Sequence, residues 1–170
     1  MLARNESIFK WSLYAGATVL LLLLQSFLLQ RLSFWGVIPF LYPAVAAVLG
    51  NYESPVSSTI FGLVLGVVCD LLLPGSIPCL YTLMFPLAGL SGALISKSLL
   101  KAGLLCALVS SAAAFLMTDL LRCLVLWAGG KAAWGAGLLL MVQEFLVTAP
   151  FLLVVVPLFS AVHRRVHIYD

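Results

Sequence analysis

The chain is 170 residues long, 64% hydrophobic and 9% charged, with a formal net charge of +3 and a mean hydropathy of +1.18. An ordinary soluble domain is about 45–50% apolar and about 25% charged, so composition excludes that class and predicts an all-α, polytopic membrane protein solvated by a lipid bilayer. Six spanning helices of about 20 residues each take about 120 residues, which leaves short loops and no stretch for a separate soluble domain.

Hydropathy and breaker residues place the spans at 11–30, 35–50, 56–73, 77–96, 102–127 and 134–160 of one membrane domain covering residues 1–170. Arg4 and Lys10 precede the first span, but its apolar run is long for the core of a signal peptide. "LLQRLSFW" offers no small-residue cleavage site either, so this segment is expected to be retained. The second span is short, and "WGVIPFLYPAV" sets Pro39 and Pro43 one turn apart, so it is expected to be kinked or only partly inserted.

The third span, in "SSTIFGLVLGVVCDLLLPG", repeats Ser58, Gly62, Gly66 and Asp70 at steps of four. A helix advances about 100° per residue, so each step drifts by about 40° and the small residues and the acid share one broad face. Such a face packs against another helix, either within the bundle or on a partner. The Gly62 and Gly66 face, with the edge at Asp70, is the expected wall of a lateral groove for a partner helix. Pro78 and Pro86 in the fourth span, and Pro150 and Pro157 in the sixth, predict further bends.

Charge sets the expected orientation. With six spans and the N-terminus inside, Arg4, Lys10, Lys97, Lys101, Arg164 and Arg165 lie on the cytoplasmic side, and Arg31 and Lys131 lie outside. Both termini are therefore expected in the cytoplasm. The positive charge reads as topology, not as a surface for nucleic acid.

Four ionisable residues fall inside spans: Asp70, Asp119, Arg122 and Glu144. Each costs about 2.5–3.5 kcal/mol at a helix centre on insertion scales, so each should face protein or water. Asp119 and Arg122, three apart, can pair on one helix face. Gln143 and Glu144 enter from the sixth span at comparable depth, which predicts an intramembrane polar cluster of Asp70, Asp119, Arg122, Gln143 and Glu144. Internal helix cement, contact with a partner helix, and a proton or solute path are the alternatives for it. Cys69, Cys79, Cys106 and Cys123 show no CxxC spacing and read as apolar filler, with a Cys69 to Cys79 bridge left open. His163 and His167 in "HRRVH" have metal-ligand spacing but no evident further ligands, so they read as part of a basic tail. No serine–histidine–acid set, HExxH or Walker loop is present, so neither a catalytic residue, a cofactor nor a metal site is expected.

The length, the short loops and the segment "GLVLGVVCDLLLPGSIPCLYTLMFPLAGLSGALISK", residues 62–97, resemble the bacterial rod shape-determining MreD family. Gly62, Gly66, Asp70, Leu71, Gly75, Tyr81, Gly89 and Gly92 carry the resemblance, and "IPFLYPAVAAVLG" is similar to that family's proline-containing second segment. Pro78 and Cys79 stand where the family frequently has Leu-Gly. The resemblance implies a six-helix bundle similar to the S components of energy-coupling-factor transporters. It also implies a non-enzymatic membrane scaffold for cell shape, in the cytoplasmic membrane of a bacterium. Its implied partners are an MreC-like single-span protein and, indirectly, an MreB-like actin homologue, a RodA-type glycosyltransferase and a class B transpeptidase. The alternative is the substrate-binding subunit of an energy-coupling-factor vitamin transporter, which should bury an outward-facing pocket of aromatics and convergent polar groups. Asp119, Arg122 and Glu144, with Trp127 and Trp134 near the outer loop, are its candidate lining, although both tryptophans also suit the interfacial belt. An intramembrane enzyme is a third reading.

Overall fold

The computed structural model describes residues 2–73, 77–130 and 134–167. Gly75, Lys131 and the side chain of His167 lie outside the described residues. Seven α-helices follow one another there: α1 (Leu2–Phe27), α2 (Tyr42–Tyr52), α3 (Pro55–Leu72), α4 (Leu80–Ser98), α5 (Leu104–Ala128), α6 (Trp134–Thr148) and α7 (Leu152–His167). The fold is all-α among the described residues. Five helical stretches are long and apolar enough to cross a bilayer: Ile8–Arg31, Pro55–Leu72, Leu80–Ser98, Leu104–Ala128 and Trp134–Val166.

The expected span at 35–50 is not one of them. Its helix, α2, has 11 residues and so reaches only about 16 Å, roughly half of a hydrocarbon core. The chain before it is extended and looped. Phe34 and Val37 exchange two backbone hydrogen bonds of 2.9 Å across a tight turn in which Trp35 (φ 54) and Gly36 (φ 79) are left-handed. Both central residues of a type I′ turn need positive φ, and Pro39 holds the residue before it extended.

Irregular backbone within a membrane bundle must find its hydrogen bonds in protein. Two buried side chains provide them here. Gln25 of α1 donates from Nε2 to the Pro39 carbonyl at 2.6 Å and accepts at Oε1 from the Leu41 N–H at 3.1 Å. Thr148, at the end of α6, accepts from the Phe40 N–H at 3.0 Å while donating to the Glu144 carbonyl at 2.7 Å. Thr148→Val keeps the shape and strands the Phe40 N–H. The variant is expected to lose about 1–2 kcal/mol of stability, read as a lower unfolding midpoint in detergent titration.

Every residue from Tyr42 to Asn51 is buried, so α2 is apolar on all sides, as a helix enclosed by others must be. Its one glycine and its alanines let α4 come close. A Cβ added at Gly50 would meet the Ala93 nitrogen at 2.9 Å, and one at Gly92 would meet the Ala47 carbonyl carbon at 3.1 Å. α3 starts cleanly, with Ser54 accepting from the Ser57 N–H at 3.3 Å and Pro55 in the first turn. The last expected span, 134–160, is broken: residues 149–151 form a 3-10 turn between α6 and α7, where Pro150 has no N–H to continue the ladder. Pro86 and Pro157, in contrast, sit inside α4 and α7, and Pro78 precedes α4.

Contacts fix the direction of each element. Lys10, Glu53, Ser96, Ser110 and His163 lie at one end of the bundle and Gln25, Asp70, Tyr81, Arg122 and Glu144 at the other. The first is the basic end, since Lys97, Lys101, Arg164 and Arg165 flank the same helix termini. There Lys10 Nζ meets Glu53 Oε2 at 2.7 Å, the Asn51 amide donates to Ser110 Oγ at 3.0 Å, and Tyr14 stacks on Phe159 with centroids 6.0 Å apart.

Candidate functional site

Five of the resemblance-bearing residues, Gly62, Gly66, Asp70, Tyr81 and Gly89, assemble into one seam. α3 and α4 run antiparallel, and each step of four along α3 is matched by a step of four back along α4. Ser58 faces Gly89, Gly62 faces Phe85 and Gly66 faces Tyr81. A Cβ on Gly66 would lie 2.7 Å from Thr82 Cα, one on Gly62 2.8 Å from the Phe85 carbonyl carbon, and one on Gly89 2.6 Å from the Ser58 carbonyl oxygen. Glycine is required on both helices because backbone touches backbone. The seam is a helix-packing face filled by α4 of the same chain, and it leaves Gly62 and Gly66 no room for the helix of another protein.

Asp70 closes the seam. Its carboxylate accepts from the Tyr81 N–H at 3.2 Å, the Thr82 N–H at 2.8 Å and the Thr82 hydroxyl at 2.5 Å. α4 has no side-chain cap of its own, because its N-cap position is Cys79, which is left-handed at φ 56. The acid of α3 therefore satisfies two of the orphan N–H groups of α4 and meets the positive end of its dipole. A carboxylate near the end of the apolar helix α3 thus has a structural role. It also corrects the expected cluster: the hydrogen bonds of Asp70 all go to α4, not to Arg122 or Glu144.

The other charges do converge. Arg122 of α5 and Glu144 of α6 stand 3.8 Å apart, and Asp119, Arg122, Glu144 and Tyr81 lie within electrostatic reach of one another. Asp119 is 9% exposed, and its Oδ2 has no hydrogen-bond partner among the described residues. Gln143 makes no hydrogen bond or ion pair there. A cavity of about 510 Å³ opens at this end of the bundle, with Gln30, Phe40, Tyr42, Tyr81, Arg122 and Glu144 in its wall. A smaller one of about 190 Å³ lies between α5 and α6, lined by Asp119 and Gly137 among others, and shares Arg122 and Leu140 with the first. Trp127 and Trp134 pair at 5.7 Å beside this end.

All four cysteines are free, so the Cys69 to Cys79 bridge is not formed. Among the described residues no three His, Cys, Asp or Glu side chains gather as metal ligands, and the His163 ring lies 3.5 Å from the Tyr14 hydroxyl and packs on Tyr52. Gln25, Thr148, Glu53 and Asn51 are buried polar residues that sequence reasoning missed. An intramembrane glutamine was the available signal for Gln25. Comparison with protein-family models, with curated proteins and with solved structures finds no match.

Proposed function

We propose that this chain is a non-enzymatic, multi-pass scaffold of the bacterial cytoplasmic membrane. Its basic end and both termini face the cytoplasm, and it serves side-wall peptidoglycan synthesis beside an MreC-like single-span protein. The observation that carries this reading is the α3–α4 seam. Gly62, Gly66, Asp70, Tyr81 and Gly89, all in the MreD resemblance, are neighbours across one interface and use their small size or polar groups on each other. A motif of that kind supports a rigid hairpin rather than a reaction centre. Partner contact then falls to the outward surfaces of the bundle, since the glycine face is filled.

A second reading, the substrate-binding subunit of a vitamin transporter, is favoured by one observation: the 510 Å³ cavity whose wall combines aromatic rings with Arg122 and Glu144. Depleting the protein in a rod-shaped host, with and without a vitamin supplement, separates the two. The scaffold reading expects rounded, widened cells that vitamins do not rescue. Cells that keep their shape but require the supplement to grow would reverse the choice.

A further inference from the structure

The charges around Arg122 do not balance. Glu144 stands against the guanidinium at 3.8 Å on the side of the larger cavity, which leaves Asp119 as a second acid in the wall of the smaller one. Asp119 is nine-tenths buried and its Oδ2 has no hydrogen-bond partner among the described residues. A buried carboxylate without a partner is costly, and it is relieved by a cation with hydrogen-bond donors. The space beside it has the complementary shape. Leu126, Ala136 and Leu140 give apolar walls, and Gly137 lets α6 close on Cys123, whose sulfur a Cβ there would strike. The adjoining cavity shares Arg122 and Leu140 and has Phe40 and Tyr81 in its wall, rings suited to the flat or apolar body of a ligand.

We propose that the paired cavities around Arg122 bind a small organic cation, its ammonium on Asp119 and its apolar body against Leu126, Ala136 and Leu140. The site is distinct from the α3–α4 seam. It extends the second reading above by naming a ligand class, and binding to the purified chain is tested separately from any effect on shape or vitamin demand.

The experiment uses the full chain in lipid nanodiscs and three probes that share one ring and differ in their head group: benzylamine, benzyl alcohol and benzoate. Binding is followed by the fluorescence of Trp127 and Trp134, with thermal stability as a second readout. Benzylamine is expected to give a saturable response at least about tenfold tighter than benzyl alcohol, the margin of one charged hydrogen bond. Asp119→Asn should remove that margin while the protein stays folded, because the variant discards an unsatisfied charge. Gln143→Ala, outside both cavities, should change nothing. Equal responses to all three probes would reduce the effect to partition into the bilayer and overturn the proposal. Tightest binding by benzoate would make Arg122 the centre of an anion site, and undiminished benzylamine binding in Asp119→Asn would remove the carboxylate. Unchanged cell shape on depletion, with intact benzylamine binding, would count against the scaffold and leave the site standing.

Discussion

Gly66→Ala is expected to cost about 3 kcal/mol or more, the upper range for overpacking, although it adds a single methyl group. The atoms it would strike are the backbone of Tyr81 and Thr82, with Thr82 Cα at 2.7 Å. A side chain would rotate away, but these atoms belong to the first turn of α4, which Asp70 pins in place. Relief requires α3 and α4 to separate along the seam, and that would also loosen the Gly62–Phe85 and Ser58–Gly89 contacts. The check is an equilibrium unfolding titration in mixed micelles, beside Gly16→Ala as control. A Cβ at Gly16 meets nothing within 4 Å, and alanine favours the helix by up to about 1 kcal/mol, so the control should be neutral or slightly stabilised. Equal midpoints for the two variants would refute the close-approach account.

Asp70→Ala is the second large effect, at about 2–3 kcal/mol. It removes three hydrogen bonds to an ionised acceptor, each of a class worth about 1.5–3 kcal/mol when lost singly and less than additive when lost together. It also leaves α4 uncapped, since Cys79 supplies no substitute. Hydrogen exchange should rise first at Tyr81 and Thr82, before any change at the basic end of the bundle. Asp70→Asn should fall between the two, because its amide keeps one acceptor oxygen and loses the charge that favours the helix N-terminus. If partner binding falls in these variants only in proportion to the folded fraction, Asp70 acts through the hairpin. A loss of binding with unchanged exchange at Tyr81 and Thr82 would restore a direct role for the acid.

Steps of four at Ser58, Gly62 and Gly66 were legible because helical geometry alone puts them on one face. The same periodicity is silent on what lies opposite. Gly89 and Gly92 were readable as small residues of the next helix, but that Gly89 meets Ser58 of α3 and Gly92 meets Ala47 of α2 is encoded by no local pattern. Asp70 and Arg122 illustrate the same limit for charge. Insertion cost shows that each needs a partner, and only the rotation and depth of α3, α4, α5 and α6 direct Asp70 to the Tyr81 and Thr82 amides and Arg122 to Glu144. The second segment differs from expectation for a related reason. Its prolines signal a break, yet whether the broken part is tolerated within the bundle depends on Gln25 and Thr148, residues 14 and 108 positions away from their backbone partners Pro39 and Phe40.

The sequence by itself determined that this protein forms helices long and apolar enough to cross a bilayer, and where along the chain they run, because apolar length and the cost of intramembrane charge are local properties of the chain. Tertiary structure decided which small faces meet, which acid caps which helix, and that Asp119 Oδ2 has no hydrogen-bond partner among the described residues. Those outcomes depend on the relative rotation of whole helices, and a rotation is fixed only when all of the neighbours pack at once.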